Sequence, residues 1–445
     1  MDTETAKTFV ATPQIRSKST AASVYRDRER KWLQMMRGPG GLAGAHASNQ
    51  ATVKRRCRKG IPEAVRGSAW LELSGAAALK LADAPGAFSE LCGRELPAGI
   101  LDHAAMGVGL STSSTLHTPA PLESAEGAAR RAVFDTIERD IARTFTGSAF
   151  FSSEGSAVGQ RKLFRVLVAY AQLHPEIGYC QGMAFVVSLV LSFMGSEEDA
   201  FATLRVLMSD KRYALAGLFA PGLPLVDRHL HTVQGLLNKL RPRLAAKLLD
   251  LGLHASMFAA QWIITLFAYS LPLPLVARVF DSFVVEGFKL VFRVSIQLLA
   301  TFEVPLMACT SLEEAMAVFK LIPEVLAGNH AEQLPNSSGH SERAAVLRHG
   351  GAGVARVIGL MPVLSGSAAE LDAFLARAFA LPFSRSDLAL LEREHAALVA
   401  AHCETCGGNA GSLLKRGGAS RLPVAAQAAL GGARTAVMSW RPSRS

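Results

Sequence analysis

Val133-Phe134-Asp135-Thr136-Ile137-Glu138-Arg139-Asp140-Ile141-Ala142-Arg143 sets apolar side chains at 133, 137 and 141, one in every four residues. Positions i, i+4 and i+8 share one face of an α-helix, so these three form a buried stripe. Asp140 and Arg143 stand three apart on another face, within reach of each other. An arginine in a last turn is also well placed against the helix dipole. Taken alone, Arg143 reads as a solvated or salt-bridged side chain. The same periodicity continues outward in both directions. Upstream, Pro62 suits a helix first turn and Val65, Ala69 and Leu73 share a face. Helices are predicted over 130–144, 159–174, 183–194, 197–208, 224–251, 255–270, 273–285, 288–301 and 311–320, with a Ser/Thr/Gly/Pro-rich loop over 107–127. No period-two alternation long enough for a sheet separates them, so the fold class is all-α, with far more helices than a simple bundle.

Composition bounds the function. The chain has 445 residues, 49% hydrophobic and 19% charged, with net charge +10 and six cysteines. That is too apolar for a disordered polymer and too poor in cysteine for a disulfide-stapled scaffold. The charge is unevenly placed. Residues 1–60 hold thirteen Lys/Arg against four Asp/Glu, net +9; residues 61–334 are net −4 and 335–445 net +5. The basic character belongs to the ends, and the middle is a mildly acidic, helix-dense region.

Three segments are expected: a flexible basic arm over 1–53 holding a short helical piece at 25–36, a main domain over 54–330, and an Ala/Gly-rich extension over 331–445. The extension carries one or two helices, the clearest opened by Ser386 and Asp387 with Leu388, Leu391, His395 and Leu398, and ends in a disordered tail. The start, Met1-Asp2-Thr3-Glu4, has no signal-peptide character. The longest stretch free of Asp, Glu, Lys and Arg, Leu251 to Ala277, is broken by Pro272 and Pro274 and reads as core helix rather than a membrane span. A cytoplasmic protein, neither secreted nor membrane-spanning, is expected.

Two more stretches carry chemistry. Pro175-Glu176-Ile177-Gly178-Tyr179-Cys180-Gln181-Gly182-Met183 is a helix stop and a glycine-flanked turn that presents Gln181 outward; alone, that glutamine reads as a cap or surface residue. The cluster Lys54-Arg55-Arg56-Cys57-Arg58-Lys59, followed by Gly60-Ile61-Pro62 and Arg66-Gly67-Ser68-Ala69-Trp70, suits a nuclear address or an anionic-lipid patch. It has no interleaved aromatics and no groove-reading module, so nucleic-acid binding is not expected. Cys403 and Cys406 form a lone C-x-x-C without the second ligand pair that zinc needs, and Cys180 has no histidine nearby in sequence to make it a nucleophile. No phosphate loop, G-x-S-x-G or H-E-x-x-H occurs.

In this order the stretches resemble the TBC domain family, the GTPase-activating proteins of Rab GTPases. Arg58, Gly60, Ile61 and Pro62 with Arg66, Gly67 and Trp70 are similar to the family's first motif. Ile137, Asp140 and Arg143 match I-x-x-D-x-x-R, and Tyr179, Gln181, Gly182 and Met183 match Y-x-Q-G-M. Gly159-Gln160, Trp262 with Phe267, and Arg278 to Gly287 follow. The resemblance covers roughly 55–325. Thr146 after Phe145, where the family usually has a proline, and Phe280, where it often has tryptophan, depart from the pattern.

The resemblance implies a multi-helical TBC domain with flexible extensions. It implies a partner, a Rab-family small GTPase in its GTP form, and a role in vesicle trafficking. Arg143 becomes an arginine finger and Gln181 a glutamine supplied in trans; Asp140, Tyr179, Gly182 and Ile137 support them. No cofactor belongs to this chain, since GTP and magnesium belong to the partner. The rival expectation is a catalytically weak TBC-fold scaffold that binds a GTPase or another trafficking partner. Residues 1–60 add an expected weak contact with anionic membrane surfaces, peripheral on endomembranes.

Overall fold

The computed structural model describes residues 14–93, 125–144, 156–328, 346 and 351–405, and every regular element among them is a helix. The first group is α1 (Gln14–Met36), α2 (Gly41–Ser48), α3 (Gln50–Lys59), α4 (Glu63–Ser74), α5 (Ala76–Ala82) and α6 (Ala87–Gly93). The central group is α7 (Ala125–Thr144), α8 (Ser156–Leu173), α9 (Met183–Leu191), α10 (Glu197–Ser209), α11 (Ala216–Phe219), α12 (Pro224–Leu240), α13 (Pro242–Asp250), α14 (Ala255–Phe258), α15 (Ala260–Ile264), α16 (Leu273–Glu286), α17 (Phe288–Thr301), α18 (Glu303–Ala308) and α19 (Leu312–Leu326). The last is α20 (Ala352–Ile358), α21 (Ala368–Ala380) and α22 (Arg385–Thr405).

Local chemistry sets many of these bounds. Ser196 and Ser311 cap α10 and α19 by accepting the N–H groups of Asp199 and Glu314, and acidic residues fill both first turns. The single helix expected over 224–251 is two. Pro242 has no N–H to continue the ladder and pushes Arg241 out of the helical region, to φ −141° and ψ 59°. The helix expected over 255–270 is two short ones, Ala255–Phe258 and Ala260–Ile264, and goes no further because Leu266 and Phe267 take left-handed φ values of 47° and 66°.

The first and last sequence motifs meet in one buried knot between α4 and α16. Asp281, wholly buried, accepts the Ile61 N–H at 2.8 Å, the Trp70 indole N–H at 2.9 Å and Arg66 Nε at 3.1 Å. Burial raises its carboxyl above the ordinary value, against the pull of Arg66. Phe280 packs edge-on to Trp70, with ring centroids 4.6 Å apart. Gly67 lies so close to the Phe193 carbonyl that a side chain there would occupy the oxygen's position. Of the basic cluster, Arg58 forks onto Glu286 at 2.6 and 2.8 Å, Lys54 reaches the same carboxylate at 3.0 Å, and Arg56 donates to the Lys31 carbonyl. Three of the cluster's five basic residues are paired within the molecule, leaving Arg55 and Lys59 exposed.

Both extensions hold more helix than expected where they are described. Within the arm expected over 1–53, residues 14–53 form α1, α2 and the first turn of α3, where Trp32, Leu42 and Val53 bury their side chains in the core. Residues 351–405 form three helices rather than one or two, packed back on the main domain. Phe379 lies 4.6 Å from the Arg58 guanidinium, and Phe383 lies 5.5 Å from both Lys289 and Arg293. The expected last helix is α22, opened by reciprocal bonds between Ser384 and Asp387. It docks on α12 through Asp387–Lys239 at 2.6 Å and His395–Asp227 at 2.8 Å. The loop expected over 107–127 up to residue 124, Phe145, Thr146, Cys406 and the tail lie outside the described residues, as do residues 1–13 and the Cys403 side chain. No described helix is long and apolar enough to cross a membrane.

Candidate functional site

Helix α7 is fixed by what it buries. Phe134, Ile137 and Ile141 are in the core, with Val133 half-buried beside them, so the expected stripe faces inward. Asp140 is also buried, which an unpartnered carboxylate does not tolerate. Its carboxylate accepts the hydroxyl of Tyr179. Arg143 stands one turn further on, in the last turn of α7; its side chain lies outside the described residues.

The second strand of the site is the turn between α8 and α9. The N–H groups of Ile177 and Gly178 return to the His174 carbonyl and close the end of α8. Gly178 and Gly182 have φ of 60° and 108°. At Gly182 that value is joined by close packing, since a Cβ would sit 2.6 Å from Ile264 Cγ2, so only glycine fits. The Cys180 N–H donates to the Met183 sulfur at 3.3 Å, and the Met183 N–H returns to the Cys180 carbonyl at 3.2 Å. Gln181 therefore rides on a turn held from both sides. It is half-buried, and its side-chain amide is hydrogen-bonded to no other described residue.

Burial, with the Asp140 charge adding to it, pushes the Cys180 thiol up to about 11. At neutral pH the thiol is protonated. No group of three His, Cys, Asp or Glu able to hold a metal is assembled among the described residues.

The structure thus joins Ile137, Asp140, Tyr179, Gln181 and Gly182 through one hydrogen bond and adjacent backbone, with the Arg143 backbone one turn from the same point. Arg66, Trp70 and Asp281 belong to the scaffold knot. Ile264 and Phe219, which lie against Gly182, had no signal in the sequence beyond being apolar.

The sequence model of the Rab-GTPase-TBC domain family matches residues 64–307, from the first turn of α4 into α18. This chain belongs to that family. Its TBC domain is 30% identical over 293 residues to the human ecotropic viral integration site 5 protein homolog, spanning 66% of this chain and 31% of that protein. It is 32% identical over 276 residues to mouse TBC1 domain family member 10A, 62% of this chain and 47% of that one. A GTPase-activating protein, GYP5 of Eremothecium gossypii, is 39% identical over 163 residues, 37% of this chain and 18% of the relative. The chain spans less than half the length of each of these relatives. The solved Chlamydomonas flagellar RabGAP TBC domain aligns over 83% of this chain and 96% of its own, at 21% identity and TM-score 0.49.

Proposed function

We propose that this chain is a GTPase-activating protein for a Rab-family small GTPase in its GTP form, supplying Arg143 and Gln181 to the partner's active site. The observation that carries the proposal is the Asp140–Tyr179 hydrogen bond. It ties the last turns of α7, where Arg143 stands, to the turn that presents Gln181, so residues 38 positions apart serve one place.

The chemistry asks for two things. GTP hydrolysis spreads negative charge over the transferring phosphoryl group, and a slow GTPase lacks a cation there and a well-held attacking water. Arginine keeps its charge at any working pH, and its planar fork donates several hydrogen bonds to phosphate oxygens. A glutamine amide offers an acceptor to the water and a donor to phosphate. The Gln181 amide, uncommitted among the described residues, suits that task. GTP and magnesium come with the partner. Regulation of vesicle trafficking from the cytoplasmic side of endomembranes follows from such a partner, with Arg55, Lys59 and the remaining exposed basic residues of 1–60 adding a weak anionic-surface contact.

Single-turnover GTP hydrolysis over a panel of GTP-loaded Rab proteins tests it, with wild type, Arg143→Ala and Gln181→Ala in parallel. At least one member is stimulated by wild type, and Arg143→Ala loses roughly 10³-fold or more of that stimulation. Binding to the panel without stimulation of any member identifies the chain as a scaffold and overturns the proposal.

A further inference from the structure

Gln181 sits on a turn whose floor comes from a distant part of the chain. A Cβ at Gly182 would lie 2.6 Å from Ile264 Cγ2 and 3.7 Å from Phe219 Cε1. The Gly182 backbone therefore rests directly on the β-branch of Ile264. Ile264 is the last residue of α15 and is buried. Immediately after it the chain makes a corner of a kind that L side chains avoid. Leu266 and Phe267, both large and buried, hold φ of 47° and 66°, values that glycine adopts freely and leucine and phenylalanine do not.

The corner is locked by its own hydrogen bonds. The Phe267 N–H reaches back to the Trp262 carbonyl at 2.9 Å, the Ala268 N–H to Thr265, and the Leu271 N–H to Phe267 at 3.0 Å. Thr265 Oγ1 donates to the Gln261 carbonyl at 2.7 Å. A left-handed pair of bulky residues persists only where the surroundings over-determine it, and such outliers cluster at functional sites. Ile264 stands directly before this corner, and what it touches is the turn of Gln181.

We propose that Ile264, fixed by the left-handed corner Leu266-Phe267, is a positioning residue for Gln181: its Cγ2 methyl sets the height of the Gly182 backbone and so the reach of the glutamine amide toward a bound GTPase. The inference rests on the role given above to Gln181. The relevant property of Ile264 is its branch at Cβ, not its volume.

The full chain, a Rab protein that it stimulates, and four variants test this. Ile264→Val keeps the γ-methyl under Gly182, whereas Ile264→Leu keeps the volume and moves the branch outward. Ile264→Leu is expected to lower kcat of stimulated hydrolysis about tenfold with KM for the GTPase within about twofold, since small displacements of a positioned group carry costs of this order. Ile264→Val stays near wild type. In a Gln181→Ala background, Ile264→Leu has no further effect. Ile264→Leu equal to wild type, Ile264→Val as damaging as Ile264→Leu, or an undiminished effect of Ile264→Leu without Gln181, each overturns the inference while leaving the proposed activity standing. Wild type that stimulates no Rab protein overturns both. Thermal melting of each variant separates lost folding from lost positioning, because a loss of folded fraction lowers the residual activity of the Gln181→Ala protein as well.

Discussion

The Tyr179 hydroxyl donates a hydrogen bond to the buried Asp140 carboxylate across 39 positions of the chain. Each residue is a near neighbour of a proposed finger: Asp140 is one turn before Arg143, and Tyr179 is two residues before Gln181. The bond couples the end of α7 to the α8–α9 turn without using either finger's own side chain.

Tyr179→Phe keeps the ring and removes that donor. The expected outcome is a stability loss of about 1–3 kcal/mol, the usual cost of depriving a buried acceptor of a partner, and a fall in kcat of stimulated hydrolysis larger than the lost folded fraction explains. Denaturant melts and single-turnover assays on the same preparation check both. Unchanged kcat in a folded variant removes Tyr179 from the positioning of the site.

Gly182→Ala combines a left-handed backbone with a collision against Ile264. The backbone alone costs about 1–2 kcal/mol, and the collision adds to it. The variant should be less stable and should stimulate hydrolysis no better than Gln181→Ala. Chemical denaturation measures the first effect and the hydrolysis panel the second.

Asp281→Asn tests the knot between the first and last motifs. Three N–H donors from Ile61, Arg66 and Trp70 converge on its two carboxylate oxygens. An amide keeps one acceptor and turns a donor toward donors, leaving the Arg66 charge buried without its partner. A loss of about 3–5 kcal/mol is expected, read as a lower denaturation midpoint with an unchanged slope.

His229 makes stability acid-sensitive. Its ring is buried beside Phe288 and Phe292, with centroids 4.1 and 5.2 Å away, and neither ring nitrogen has a hydrogen-bond partner among the described residues. Burial, aided by the charges of Arg228 and His395, lowers its pKa from 6.5 to about 3. The unfolded chain therefore binds a proton below pH 6.5 that the folded chain refuses until about pH 3. The stabilisation is complete above pH 6.5 and is lost as pH falls through that window, by up to about 4–5 kcal/mol. His229→Leu should flatten the stability profile between pH 6 and 4 relative to wild type. An equally steep profile in the variant excludes His229 as its source.

What the sequence determined by itself is whatever a few consecutive residues decide. The stripe Val133-Ile137-Ile141, the caps Ser196 and Ser311, and the glycine-flanked turn around Gln181 are set by interactions spanning one or two helical turns, so they appear as spacing. The matching order of motifs made the family legible as well. What only the tertiary structure decided involves partners that spacing does not reach. Asp281 gathers donors more than 200 positions away, Arg58 and Lys54 spend their charge on Glu286, and Trp32 draws the N-terminal helices onto the core. The left-handed Leu266-Phe267 corner ends a helix that hydrophobic periodicity alone runs on, whereas the break at Pro242 is a local signal that periodicity passes over. Ile264 under Gly182 is the sharpest case. One apolar side chain in an apolar run carries no local mark of what it will touch, because burial selects it for being apolar and only the closed fold selects its neighbour.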